Sequence, residues 1–317
     1  MSERQIVIGI DTSNYTTSVA LMYSDGELIA NIKRPLPVKD GERGLRQSDA
    51  VFAHIKNIPS AMEEAREYLS GRPLSAIGVS SRPRNIDGSY MPCFLSGVAV
   101  AQAMGASVGV SVHKFSHQCG HIMAAIYSSG NYSVLGGGFM AYHISGGTTE
   151  LVSVSPTENA FLAETVGGTA DVNAGQLIDR IGVYMGLPFP SGKYIEELAL
   201  KNTSVIPKKK ISRKDLFLNL SGVENMAIKL YDETKNQELV SAFILDYIGR
   251  ALIDLTLAMQ EKYGAQPLVC AGGVMCNSII KNMLSEKFTV SFAEPAMSAD
   301  NAVGIAALTL RAYLSEK

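Results

Sequence analysis

Short apolar runs alternate with longer stretches of helical spacing along this chain. Residues 6–10 read as a strand, Asp11-Thr12-Ser13-Asn14 as a turn cluster, and 18–22 as a second strand followed by an Asp25-Gly26 hairpin signal. Val51, Ile55, Ile58 and Met62 recur at helical spacing within 48–70, where Pro59 is placed to kink the helix. A buried strand is expected at 76–80, an Ala/Gly-rich helix at 94–106 and another strand at 108–112. Strands alternating with helices in this way predict an α/β fold.

The plan then starts again. Residues 140–144 are strand-like, Ser145-Gly146-Gly147-Thr148-Thr149 is a hydroxyl-rich turn, and 151–154 resume as a strand, as in residues 8–20. Two related halves account for this; two unrelated hairpins would also do so. Further on, helices are expected at 175–186, 193–200, 238–262 and 278–285, and strands at 267–270 and 288–292. Residues 202–214 read as an exposed basic loop, and Asp300 as the opening of a C-terminal helix.

Composition narrows the classes. The 317 residues are 46% hydrophobic, enough for a substantial core, and only 18% charged. Lys plus Arg is 28 and Asp plus Glu 30, a net charge of −2, which argues against a surface coated in positive charge for nucleic acid. Four cysteines without a Cys-x-x-Cys pair make no disulfide framework, and the N-terminus carries no signal-peptide pattern, so a cytoplasmic setting is expected. Residues 88–113 lack charged side chains but contain Pro92, Gln102, serines and glycines, too polar for a membrane span.

Five constellations carry chemistry. His113, His117 and His121 are spaced by four, which on a helix puts them on one face where they could converge on a metal. The position after His117 is Gln118, so the glutamate base of an HExxH protease is missing. Imidazoles with one oxygen ligand suit Fe, Zn or Mn. The turns at Asp11-Thr12-Ser13 and Ser145–Thr149 can offer backbone N–H groups to phosphate, with Asp11 either positioning a metal-bound water or closing an Asx-turn. Gly272-Gly273-Val274-Met275-Cys276-Asn277 can pack on a flat ring, or Asn277 can simply cap a helix. Asp179 on the helix after Gly175 is either a ribose ligand or a solvated surface charge. Asp300 in Ser298-Ala299-Asp300-Asn301 is either a helix cap or the oxygen ligand that His117 and His121 lack.

In this order and spacing the motifs resemble those of the TsaD-like tRNA threonylcarbamoyltransferases, almost end to end. His117-Gln118-Cys119-Gly120-His121 is similar to that family's His-x-x-Gly-His metal motif. Ile144-Ser145-Gly146-Gly147-Thr148-Thr149 resembles its Val-Ser-Gly-Gly-His-Thr, and Gly272–Asn277 its Gly-Gly-Val-x-x-Asn. The resemblance implies a duplicated actin/hexokinase-like (ASKHA) α/β fold with a ligand cleft between two similar halves: residues 1–115 with 299–317, and 116–298. It implies one divalent metal, iron or zinc, on His117, His121 and Asp300, with Asp11 as a catalytic residue. It implies an adenylate or ATP-type ligand on Ile144, Ser145, Gly146, Gly147, Thr148, Asp179, Gly192, Glu196 and Asn277. The activity implied is transfer of threonylcarbamoyl from its adenylate to N6 of adenosine 37 in tRNA, with partner proteins and no membrane.

The chain departs from the family at the first turn, where Asn14-Tyr15-Thr16 replaces Cys-Asp-Glu. Residues 81–88 stand where the family has Gly-Pro-Gly-Leu, Thr148 replaces a histidine, and Gln176 replaces a glutamate. A carbamoyltransferase with a non-tRNA acceptor, or a non-catalytic nucleotide-binding paralogue, is therefore an alternative. Lys208, Lys209, Lys210, Arg213 and Lys214 form one basic stretch that could meet a phosphate backbone.

Overall fold

The computed structural model describes residues 4–13, 15–37, 45–158 and 160–317. Asn14 of the altered first turn lies outside them. The chain opens with β1 (Ile6–Ser13), β2 (Thr16–Tyr23) and β3 (Leu28–Pro35), then α1 (Gln47–Leu69), β4 (Leu74–Arg82), α2 (Phe94–Val108), β5 (Val112–Ser116) and α3 (His117–Ser129). After a short 3-10 turn come β6 (Phe139–Ile144), β7 (Thr149–Pro156), β8 (Phe161–Thr169), α4 (Ala174–Tyr184) and α5 (Gly192–Ala199). The two-residue strands β9 (Arg213–Lys214) and β10 (Phe217–Leu218) precede α6 (Ser221–Thr234) and α7 (Gln237–Tyr263). The chain ends with β11 (Leu268–Ala271), α8 (Ser278–Ser285), β12 (Val290–Phe292), the single turn α9 (Pro295–Ser298) and α10 (Val303–Ser315).

Two compact units form: Met1–Gly137 with Val154–Glu164 and Ala296–Lys317, and Gly138–Ser153 with Thr165–Pro295. In this division α3, which packs on α10, β4 and β5, belongs to the first unit. The first sheet runs β3-β2-β1-β4-β5, with β1–β3 antiparallel and β4 and β5 parallel to β1. The second runs β12-β11-β6-β7-β8-β10-β9. Read from β8, its order β8-β7-β6-β11-β12 reproduces β3-β2-β1-β4-β5: three consecutive strands, then two reached by crossovers. The duplication expected from the paired turns is therefore present in the topology.

In the first unit, Ile6, Ile8 and Ile10 alternate onto one face of the sheet and pack with Val19, Leu21, Ala61, Ala65 and Ala101, which places α1 and α2 there. On the opposite face Gly9 makes room for α10. A Cβ on Gly9 would lie 2.4 Å from Ala306 N, so α10 rests almost on the β1 backbone. In the second unit the long apolar side of α7, including Phe243, Tyr247, Ile248, Leu252 and Leu255, fills the core with Tyr142, Leu177 and Ile195.

Several expectations are corrected. Asp11, Thr12 and Ser13 are strand, because they pair with Ser18, Thr17 and Thr16 of β2. Val108 ends α2, and Gly109 at φ 72° stops the helix, so the next strand begins at Val112 and carries His113. The uncharged stretch 88–113 divides between α2 and β5, and among the described residues no helix is long and apolar enough to cross a membrane. Asp300 does not open a helix. Asn301 Oδ1 accepts from Val303 N at 3.0 Å, and α10 begins there.

Candidate metal centre and nucleotide site

His117 is the first residue of α3, and Ser116 caps that helix by accepting from Cys119 N at 3.2 Å. One turn on, His121 faces it with the two Nε2 atoms 3.0 Å apart. Asp300 Oδ1 lies 3.4 Å from His121 Nε2 and 3.7 Å from His117 Nε2. One ligand atom from each of the three side chains falls within 4.8 Å of the others. His113 does not join them: it is on β5, with Nδ1 3.8 Å from Glu316 Oε1.

Behind His117 stands Asp11, fully buried, with Oδ2 2.8 Å from His117 Nδ1. Its Oδ1 accepts from Ser13 N at 2.8 Å, so the local turn bond and the bond to the histidine coexist. Burial alone would lower the His117 pKa, but the Asp11 and Asp300 carboxylates overcome it and raise it to about 9. Burial likewise opposes the charge on Asp11, and His117 holds its pKa below the ordinary value nonetheless. The donor set fits a divalent cation. Two imidazoles and one carboxylate converge, and a second carboxylate fixes the tautomer that leaves His117 Nε2 as ligand. Binding there would displace the proton that the carboxylates stabilise.

Residues 81–88 border this group, since Pro83 O accepts from Gln118 N at 3.0 Å. Asn301 steadies the Asp300 segment by donating from Nδ2 to Met297 O and Ala299 O, at 2.8 and 2.7 Å.

In the second unit the Ser145–Thr149 turn is closed by Ser145 N donating to Thr148 O at 2.8 Å. Gly146 and Gly147 are exposed, with open space where a Cβ would be. Three neighbours hold the turn. Asn173 Nδ2 donates to Gly147 O at 2.9 Å, Thr149 Oγ1 accepts from Ala174 N at 2.8 Å, and a Cβ on Gly175 would lie 2.4 Å from Ser145 O. Gly272, at φ 96°, stands so close to β6 that a Cβ would meet Ile144 O at 2.3 Å. Ile144 is fully buried, backbone included, so it shapes the site from beneath rather than meeting a ligand.

The remaining expected residues form a chain of bonds. Asp179 Oδ1 accepts from Ser191 N at 2.7 Å, just before Gly192, and burial raises the Asp179 pKa against that bond. Glu196 accepts from Ser278 N at 2.7 Å. Asn277 Oδ1 caps α8 by accepting from Ile280 N at 3.1 Å, so its helix-cap role is real. Thr148 is half-buried in the turn itself. Asn173 and Ser278 escaped sequence reasoning, although the Asn173-x-x-Gln176 spacing is a capping-box signature, and the box is formed.

The basic stretch 208–214 is fastened to α7. Lys208 pairs with Asp246 and Arg213 with Asp254, both at 2.7 Å, while Arg250 donates to Lys209 O at 2.9 Å. Lys209, Lys210 and Lys214 remain exposed, without an ion pair among the described residues.

Known proteins resemble this chain in sequence and in fold. The tRNA N6-adenosine threonylcarbamoyltransferase of Streptococcus suis (strain 05ZYH33) is 29% identical over all of this chain and 95% of its own length. That of Streptococcus thermophilus (strain CNRZ 1066) is 30% identical over 91% of this chain and 85% of its own. Among solved structures, T. kodakarensis HypF aligns with a TM-score of 0.62 at 11% identity, over 99% of this chain and 48% of that one. A ROK family glucokinase from Streptomyces griseus aligns at 0.51 and 12% identity, over 96% and 99%. These likenesses show the fold, which is the duplicated actin/hexokinase-like one. The sequence profile of the tRNA N6-adenosine threonylcarbamoyltransferases matches residues 38–307, and the chain belongs to that family.

Proposed function

We propose that this transferase moves a threonylcarbamoyl group from threonylcarbamoyl-adenylate to N6 of adenosine 37 in tRNA. The observation that carries this reading is the convergence of His117, His121 and Asp300, with Asp11 held against His117. In the reaction the adenosine amine attacks the carbamoyl carbon, the bond from that carbon to the phosphate oxygen breaks, AMP leaves with the electron pair, and N6 loses a proton. His117, His121 and Asp300 would hold one divalent cation, iron or zinc, which supplies Lewis acidity for the donor's carbonyl and phosphate. Asp11 keeps the His117 Nδ1 proton in place and so fixes the ring.

The second unit supplies the nucleotide contacts in this reading. Ser145 N is spent on Thr148 O, which leaves the N–H groups of Gly146 and Gly147 for phosphate. Asp179, Gly192, Glu196 and Asn277 take the nucleoside. Lys209, Lys210 and Lys214 offer the tRNA backbone a modest, salt-sensitive contact. Partner proteins supply the rest of the grip. Phe52 and Ile55 of α1, with Leu95 and Val108 of α2, are exposed apolar positions suited to such a partner. Four free cysteines suit the reducing cytoplasm.

The test is transfer by the metal-loaded protein, with donor adenylate, tRNA and the family's partner proteins. Formation of threonylcarbamoyladenosine at position 37 is expected, and its loss in His121→Ala. Absence of modified adenosine in the complete mixture would refute the proposal. Turnover on a small amine without tRNA would instead favour the non-tRNA carbamoyltransferase, a reading encouraged by the partial neutralisation of the basic stretch.

A further inference from the structure

Lys33 lies on the metal-bearing face of the first sheet. Asp11 is paired with Ser18 across β1 and β2, and Ser18 with Lys33 across β2 and β3. Directly opposed residues in an antiparallel sheet point to the same face. Asp11, Ser18 and Lys33 therefore form one transverse row, with Lys33 two strands, or about 10 Å, from Asp11. Across that span the ammonium of Lys33, a half-buried residue, reaches the segment carrying Asp300 and donates to Ala296 O at 3.0 Å. Burial lowers the Lys33 pKa, and the nearby Asp300 carboxylate partly restores it.

An ammonium has three donors, and Ala296 O uses one. The remaining two lie on the sheet face that carries Asp11, within electrostatic reach of Asp300. A lysine in such a place selects for a ligand anion.

We propose that Lys33 binds the carboxylate of the amino-acid part of the acyl donor, and so selects donors that carry one. The inference rests on the donor named under the proposed function, but not on the acceptor. An ammonium facing a carboxylate makes a charge-assisted bond, which a neutral amide cannot replace.

The experiment uses the metal-loaded full chain and two hydrolysis-resistant sulfamate analogues of threonylcarbamoyl-adenylate, one with the free carboxylate and one with a carboxamide. Calorimetry should show the parent preferring the carboxylate at least about tenfold. Lys33→Met should abolish the preference with metal content unchanged, and Lys33→Arg should keep most of it. Equal weakening of both analogues by Lys33→Met would show that Lys33 only ties down Ala296, and would overturn the proposal. So would a parent without a preference, or one that binds neither analogue. Transfer to tRNA is measured separately: a carboxylate preference without transfer supports Lys33 and refutes the tRNA acceptor, whereas transfer without a preference refutes Lys33 alone.

Discussion

Gly304 of α10 meets Gly120 of α3 backbone to backbone: a Cβ on Gly304 would lie 1.8 Å from the Gly120 carbonyl oxygen. This contact sits one residue from His121 and four from Asp300, so it fixes how closely these two candidate ligands approach. Gly304→Ala has to part the helices, because the obstacle is backbone rather than a side chain that can turn aside. The expected result is a stability loss of about 3 kcal/mol or more, together with loss of bound metal. Denaturant unfolding and metal analysis read the two effects, and a variant with full metal content would contradict the link.

Asp11 works through His117 in this geometry. Asp11→Asn preserves shape but removes the charge that holds the ring, so metal affinity should fall about 10–100-fold while the fold survives. Competition with a chelator measures this. An unchanged affinity would mean that Asp11 merely closes the turn at Ser13.

Gly175→Ala tests the other unit. The new methyl would strike Ser145 O and the Gly146 Cα, at 2.4 and 2.6 Å, and so distort the Ser145–Thr149 turn. Nucleotide affinity should drop at least about tenfold, the scale of a lost phosphate contact to backbone donors. Metal content should not move. Equal nucleotide affinity in parent and variant would remove this turn from the phosphate site.

Asp171 gives a pH-dependent prediction at the start of α6. Burial opposes its charge, but Ser221, Leu220 and Val172 donate to it and lower its pKa from 3.8 to about 2. Its carboxylate caps α6 by accepting from Leu220 N at 2.7 Å and Ser221 N at 3.0 Å. A carboxylate with a depressed folded pKa stabilises above its unfolded pKa. That contribution is complete above pH 3.8 and is lost as pH falls through about 2. Asp171→Ala should therefore cost about 1 kcal/mol at neutral pH. The gap from the parent should close between pH 4 and 2 in urea titrations, and a gap independent of pH would show that the cap does not need the charge.

The elements most legible in the sequence were those with long or clean periodicity. α7 was expected at 238–262 and is Gln237–Tyr263, and α8 was expected with its observed bounds. The strand after α2 was misplaced because Val108 and Val110 are apolar in either state, and only the left-handed Gly109 separates them. β8 and α6 went unread, although Phe161, Ala163 and Thr165 alternate. At the site, spacing could pair His117 with His121 but could not choose between ligand and cap for Asp300, since that depends on a contact 179 residues away along the chain. Nor could it show that Asp11 reaches His117, because Asp11-Thr12-Ser13 looks like a turn until its pairing with β2 is known.

The bonds that run from Asp179 to Ser191, from Glu196 to Ser278 and from Asn277 to Ile280 have a thermodynamic consequence. Each of these side chains has one oxygen engaged by a backbone N–H before any ligand arrives. Their rotamers are frozen by the fold, so a nucleoside that binds them need not order them. For each such side chain about 0.5–1.5 kcal/mol of entropic loss is thereby removed from the binding step. In the proposed reading these three residues would act as a rigid template, on which a nucleotide is selected by shape and donor placement rather than by adjustment of the protein.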